Sequence, residues 1–143
     1  MILLDANLLL YAHDTSSPVH ALARDWLEET LGSEDEVGLA LVTLLAFLRV
    51  GTSPTVFDRP LTVEQAMQVV AGWLDRPNVG VIQPTRRHFE VLEDVARSGK
   101  ARGVLLMDAH LAALAIEHGA TLCTTDRDFA RFKGLRTEDP LGS

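Results

Sequence analysis

Ile2-Leu3-Leu4-Asp5 decides the fold of this chain, because three apolar residues end directly at a carboxylate. A short apolar run of this kind is typical of a strand buried inside a parallel sheet. The pattern returns along the chain as apolar runs at residues 37–41, 79–82 and 120–123, with a small last strand at 135–136. Strands that alternate with helices predict an α/β fold, in which a parallel sheet of four to five strands is covered by helices on both faces.

Helical periodicity fills the segments between these strands. It predicts helices at residues 18–31, 43–50, 61–76, 85–98 and 105–118, and a short one at 127–132. Two of them carry apolar side chains at spacings of three and four, which places those side chains on an inner face. They are Val19, Leu22, Trp26 and Thr30 in the first helix, and Val63, Met67, Val70 and Leu74 in the third.

Length and composition describe one globular domain, residues 1–143, of which 47% is hydrophobic. The single cysteine, Cys123, has no partner for an internal disulfide, which predicts a reducing compartment and so a cytosolic protein. Residues 6–12 form an uncharged run that is too short to cross a bilayer, so no membrane segment is expected. A net charge of −7 argues against a module that binds nucleic acid by neutralising phosphates alone. It leaves a nuclease open, because a bound cation reverses the local sign of acidic ligands.

Four aspartates stand where such a fold places its ligand site, beyond the carboxyl ends of the strands. Asp5 ends the first strand, and Asp126 and Asp128 follow the strand at residues 120–123. Asp108 lies at the start of a helix, where the dipole favours a carboxylate by about 0.3–1 kcal/mol. The three strand-end acids therefore share one edge, and Asp108 joins them if its helix begins at that edge.

Carboxylates that share an edge repel one another, by about 4 kcal/mol for a pair about 4 Å apart at an effective dielectric near 20. A divalent cation relieves that repulsion, and magnesium prefers carboxylate oxygens and phosphate. Spacing alone leaves simpler alternatives open. Asp126 is also suited to capping the short helix, Asp108 to a helix terminus and Asp128 to solvent.

Three segments that contain these acids resemble the motifs of PIN-domain ribonucleases: residues 1–12, which run from Met1 to Ala12, residues 105–115 around Asp108, and residues 120–129 around Asp126. Their order and spacing match along nearly the whole chain, and within the family they look like VapC-type toxins of bacterial toxin–antitoxin pairs. The resemblance implies a PIN-like three-layer α/β/α fold and a magnesium-dependent endoribonuclease, with manganese as a substitute. It also implies an RNA substrate, a homodimer and inhibition by a cognate VapB-type antitoxin.

The resemblance also implies roles for individual residues. Asp5, Asp108 and Asp126 match the metal ligands and, with Asp128 as an assisting acid, the catalytic residues; Asn7 and Thr125 match polar positions that orient the acids.

One position departs from the family pattern. Members often carry a glutamate early in the helix after the second strand, and Ala46 occupies that place here, with the hydroxyl of Thr43 one turn before it. The departure favours an alternative function, a catalytically impaired PIN domain that serves as a protein- or RNA-binding module.

Basic residues and histidines are the remaining candidates for functional contacts. Arg49 and Arg102 are candidates for RNA contact, against the default that they lie on a solvated face. The five histidines show no metal-ligand spacing. His88 is predicted to be a surface or cap residue, and His110 a packed or exposed one.

Overall fold

The structure is a computed structural model, and it describes residues 1–142. Five parallel strands form one sheet in the order β3-β2-β1-β4-β5. They are β1 (Ile2–Leu4), β2 (Val37–Ala40), β3 (Val79–Ile82), β4 (Thr121–Cys123) and β5 (Arg136–Glu138). The parallel sheet of four to five strands that the sequence predicts is confirmed.

Within the described residues, six α-helices and one 3₁₀ helix connect the strands. They are α1 (Ala6–Tyr11), α2 (His20–Leu31), α3 (Leu41–Gly51), α4 (Val63–Leu74), α5 (His88–Ser98) and α6 (Leu105–Glu117), with the 3₁₀ helix at Arg127–Arg131. All but α1 are predicted from periodicity, with ends that differ by a few residues. The sequence hides α1 because its six residues, which begin just after Asp5, are too few to show a helical period. None of the helices within residues 1–142 has the length and apolarity that a membrane crossing requires.

Two hydrophobic cores lie on opposite faces of the sheet. Leu4 packs into the core that contains Phe47 and Trp73, from α3 and α4. Leu3 packs into the other core, with Val95 of α5 and the buried residues of α6. Successive residues of a strand point to opposite faces, so Leu3 and Leu4 of the central strand serve one core each. The arrangement is the predicted three-layer α/β/α fold.

The inward faces predicted for α2 and α4 are partly wrong. Leu22 is 58% exposed, Val63 62% and Met67 51%, whereas Val70 is buried as predicted. Small alanines explain the difference, because the face that includes Ala66 lets α4 approach the core closely and turns the larger side chains outward. The residues that are buried in the two helices are Ala23, Leu27, Thr30, Leu31, Ala66, Val70 and Trp73.

Register across the central strands sets up the site. Ile2 lies opposite Thr121, and Leu4 lies opposite Cys123. Asp5 and Thr124 are therefore the first residues beyond β1 and β4 and are level with each other at the carboxyl edge of the sheet. The backbone N–H of Asp5 still donates to the carbonyl of Cys123, at 2.9 Å, so the ladder extends to the acid.

Candidate active site

Asp5 is held at the edge of the sheet by hydrogen bonds to both of its carboxylate oxygens. It is the N-cap of α1, where Oδ1 accepts from the backbone N–H of Ala6 at 2.8 Å. Oδ2 accepts from the hydroxyl of Thr124 at 2.7 Å. Burial raises the pKa of Asp5, the two hydrogen bonds oppose that rise, and the charge of Asp126 adds to it. The carboxylate is therefore fixed in orientation and only partly compensated in charge.

Thr124 connects the strand-end acids. It is buried, with 4% of its surface exposed. While its hydroxyl donates to Asp5, the same oxygen accepts from the backbone N–H of Asp126 at 3.0 Å. A single side chain thus orients one carboxylate and fixes the backbone that carries the next.

Asp126 begins the 3₁₀ helix, and its Oδ1 accepts from the backbone N–H of Asp128 at 2.9 Å. The capping role that spacing left open is therefore real. Its charge also raises the pKa of both Asp5 and Asp108. Asp126 therefore caps the 3₁₀ helix and also lies close enough to Asp5 and Asp108 for its charge to affect both.

Asp108 lies in the first turn of α6 and is half-buried. Burial raises its pKa most, followed by the charges of Asp126, Asp5 and Asp128. Arg131, on the 3₁₀ helix, is the cation that lowers it. The charges of the other three aspartates therefore all raise the pKa of Asp108. We use the name aspartate cluster for Asp5, Asp108, Asp126 and Asp128.

The aspartate cluster offers a divalent cation only oxygen ligands. Among residues 1–142, no three acid, histidine or cysteine side chains form a group that could hold a metal ion. Magnesium does not need one, because it commonly binds through one or two carboxylates and fills its remaining positions with water and substrate phosphate. Each carboxylate oxygen that accepts one hydrogen bond keeps a second lone pair. Hard oxygen donors in a region of net negative charge suit Mg²⁺ or Mn²⁺.

The remaining sequence-predicted residues surround the cluster less closely. Asn7 is exposed and has no hydrogen bond to an aspartate, and Thr125 is half-buried beside Asp126 without one. Both residues are close to an aspartate in the sequence, but within residues 1–142 the hydroxyl that donates to Asp5 belongs to Thr124. Arg49 and Arg102 are exposed, and neither contributes to the pKa of Asp5 or Asp108.

Ala46 lies half-buried on α3, and Thr43, one turn earlier, is 3% exposed. The helix begins directly after β2, so its first turns start from the same edge of the sheet as the aspartate cluster. Ala46, in the second turn of α3, therefore lies on a helix that starts from that edge.

Sequence reasoning missed two side chains of this region and misplaced a third. Thr124 and Arg131 carry no motif of their own, and only the register of β1 against β4 and the turn of the 3₁₀ helix bring them to the acids. His88 is not a surface residue, since it is 4% exposed and faces Glu117. A histidine beside turn residues resembles a cap in the sequence, and its buried partner lies 29 residues away.

The PIN domain family model matches residues 2–135, and the chain belongs to the PIN-domain family. Within that family its sequence is similar to the VapC ribonucleases. It is 44% identical to Ribonuclease VapC37 of Mycobacterium tuberculosis, over 98% of this chain and 97% of that protein.

Solved structures share the fold at lower identity. VapBC-1 from nontypeable Haemophilus influenzae matches with a TM-score of 0.71 and 20% identity, over 99% of this chain and 100% of that one. A toxin–antitoxin complex from Klebsiella pneumoniae matches with a TM-score of 0.67 and 20% identity, over 98% of each chain. The fold expected from the sequence motifs is therefore the fold of known PIN-domain proteins.

Proposed function

We propose that this chain is the ribonuclease toxin of a bacterial toxin–antitoxin pair and that it cleaves RNA phosphodiester bonds with a divalent metal. The observation that carries the proposal is the placement of Asp5 and Asp126 at one edge of the sheet, where Thr124 joins them and the charges of both raise the pKa of Asp108. Such a like-charge group is stabilised by a cation. Similarity to Ribonuclease VapC37 along 98% of the chain supports RNA as the substrate.

The side chains divide the work. When bound, the metal supplies an acidified water and stabilises charge that develops on the phosphate. Asp5, Asp108 and Asp126 would hold that ion, and Thr124 keeps the Asp5 carboxylate in a fixed orientation through its hydrogen bond. Arg131, already close enough to affect Asp108, is placed to draw the RNA backbone toward the cluster. Asp128, which is exposed, assists without being a ligand.

Cleavage of total RNA with Mg²⁺ or Mn²⁺, and with excess chelator, tests the activity. The wild type is expected to cleave only with metal, and Asp5→Asn and Asp108→Asn are expected to abolish cleavage. Asp94→Asn, on the exposed side of α5, is the matched control and should cleave like the wild type. Cleavage that persists in chelator, or in Asp108→Asn, would overturn the metal mechanism.

A basic antitoxin is the proposed partner. The net charge of −7 and the aspartate cluster favour an arginine-bearing segment as inhibitor. Likeness of fold to a toxin–antitoxin complex from Klebsiella pneumoniae is consistent with such a pair. Purification of the chain with the product of its neighbouring gene is expected to yield a complex without nuclease activity. A free, active nuclease in that preparation would contradict the pairing.

Self-association is proposed as well. Leu41 and Leu45 are 55% and 53% exposed one turn apart on α3, and Val63 and Met67 repeat that arrangement on α4. Exposed apolar side chains in adjacent turns are typical of protein interfaces. Sedimentation of the purified chain is expected to give a homodimer, and a monomer at micromolar concentration would contradict it.

A binding module without catalytic activity is the second candidate, and Ala46 is the observation that favours it. The same RNA assay decides between the two, because the module would bind RNA or protein and leave RNA intact at every metal concentration.

A further inference from the structure

A buried chain of hydrogen bonds ties α6 to α5 and to the loop before α5. Oε1 of Glu117, at the end of α6, accepts from the backbone N–H and the hydroxyl of Thr85, at 2.9 and 2.7 Å. Its Oε2 lies 2.5 Å from Nδ1 of His88, and Nε2 of His88 lies 2.9 Å from Nδ1 of His110. We call these four residues the polar clamp. The side chain of His88 is 5% exposed and that of Glu117 is 1% exposed, so their contact is shielded from water, whereas Thr85 and His110 are half-buried.

Each member of the polar clamp has a defined hydrogen-bonding role. Because the Glu117 carboxylate only accepts, Nδ1 of His88 must donate to it. Hydrogen bonds from Thr85 and His88 hold the pKa of Glu117 low in spite of burial. Nε2 of His88 then shares one proton with Nδ1 of His110. Such an arrangement tolerates little displacement, because each buried group that loses its partner costs about 1–3 kcal/mol.

The apolar surface of α6 does little to define the rotation of that helix. Every residue from 111 to 115 is buried, so no single apolar stripe faces a core. Four of the six buried side chains of α6, those of Ala109, Ala112, Ala113 and Ala115, are small and alike, and the two large ones are Leu111 and Leu114. Small side chains form shallow ridges, so packing alone gives similar energies to neighbouring rotations and axial positions. Buried polar groups with unique partners are a known means of fixing register in helices.

The polar clamp meets α6 at two points on one face. His110 and Glu117 are seven residues apart, or about 10.5 Å along the axis. Two attachments at that separation fix both the rotation and the axial position of the helix. Asp108 precedes His110 by two residues and therefore points about 200° away around the axis.

We infer that the polar clamp is a positioning device, which sets the rotation of α6 and thereby places Asp108 against Asp5 and Asp126. His88 and Glu117 are positioning residues, since neither touches the aspartate cluster. The inference rests on the proposed function in one respect, because cleavage is the activity that reports the placement of Asp108. The orientation of α6 itself is measurable without any activity.

The test compares two variants of the polar clamp. Glu117→Gln retains an oxygen for Thr85, and His88 restores the chain by changing tautomer, so kcat should stay near the wild-type value. In His88→Phe with Glu117→Gln, the ring volume is kept but the link to His110 is lost. That double variant should lose roughly a hundredfold in kcat, because a displacement of about 1 Å at a reacting site costs on that order. Its KM for RNA should not change, since the RNA-facing surface is intact.

Methyl NMR supplies the readout that does not depend on cleavage. In the double variant, the contacts of the Ala109, Ala112 and Ala113 methyl groups should change, and in Glu117→Gln they should not. Glu93→Gln, an equivalent substitution on the exposed side of α5, is the control and should alter neither kcat nor these contacts. A folded double variant with wild-type kcat and unchanged methyl contacts would overturn the inference.

If the double variant does not fold, a milder substitution tests the same inference. Thr85→Val removes the hydroxyl bond to Glu117 and keeps the backbone one, so it should fold and lose kcat several-fold. Wild-type kcat in Thr85→Val would then overturn the inference. If the wild type itself fails to cleave RNA with metal, the proposed function fails, and the methyl contacts alone decide on the clamp.

Discussion

Replacement of Thr124 by valine removes one hydroxyl and leaves the shape of the side chain almost unchanged. The hydroxyl donates to Oδ2 of Asp5 at 2.7 Å and accepts from the backbone N–H of Asp126 at 3.0 Å. A hydrogen bond to a charged group contributes about 1.5–3 kcal/mol. The metal-free protein should therefore lose stability by that amount, which corresponds to a drop in melting temperature of roughly 4–10 °C for a domain of this size.

Metal binding should suffer as well. Substitution of a residue that orients a metal ligand typically reduces metal affinity or activity by about 10–100-fold. The hydrogen bond from Thr124 also lowers the pKa of Asp5, so its loss lets that pKa rise further. Activity requires ionised Asp5 and is lost as the pH falls through this pKa. The acid limb of the pH profile should therefore move to higher pH in Thr124→Val.

The assay is Mn²⁺ titration followed by RNA cleavage as a function of pH. Thr125→Val is the matched control, because it makes the same chemical change one residue away, where no hydrogen bond to an aspartate exists. Thr124→Ser restores the hydroxyl and should restore most of the affinity. Equal loss in the two valine variants, or none in Thr124→Val, would refute the role of this hydroxyl.

The remaining predictions concern charge. Without metal, Asp108→Asn should melt at a higher temperature than the wild type at pH 7. The raised pKa of Asp108 means that ionisation of this carboxyl destabilises the folded state, and this cost disappears when the carboxyl is protonated. The difference in melting temperature should therefore vanish on acidification toward pH 4, and a difference that stays constant with pH would contradict the prediction. Ala46→Glu should bind metal more tightly yet be less stable without metal, whereas equal destabilisation under both conditions would place Ala46 outside the site. Affinity for a basic antitoxin should fall as salt rises, and salt-independent binding would argue against an electrostatic plug.

The sheet was predictable because its strands are short apolar runs with breakers between them. The positions of Asp5 and Asp126 followed from the same pattern, since acids directly after parallel strands must lie at one edge. Helix faces were less predictable. In α4 the larger residues Val63 and Met67 have the correct spacing for a core face, but the smaller Ala66 occupies it.

Residues whose partners are distant in the chain could not be predicted from the sequence. Thr124 and Thr125 are identical and adjacent, and only the register of β4 against β1 decides which hydroxyl faces Asp5. His88 and Glu117 are far apart in the chain, and periodicity gives no sign that a buried hydrogen bond joins them. Local patterns describe elements and their ends, while side-chain partners depend on how the elements pack.

Direct titration of Mn²⁺ into metal-free protein tests the assignment of the aspartate cluster most directly. The wild type and Asp94→Asn are expected to bind with the same affinity. Asp5→Asn, Asp108→Asn and Asp126→Asn are each expected to weaken binding at least about tenfold, a change of about 1.4 kcal/mol for each lost ligand. Asp128→Asn should change the affinity far less. Unchanged Mn²⁺ affinity in the three ligand variants would contradict the metal site and the ribonuclease mechanism built on it.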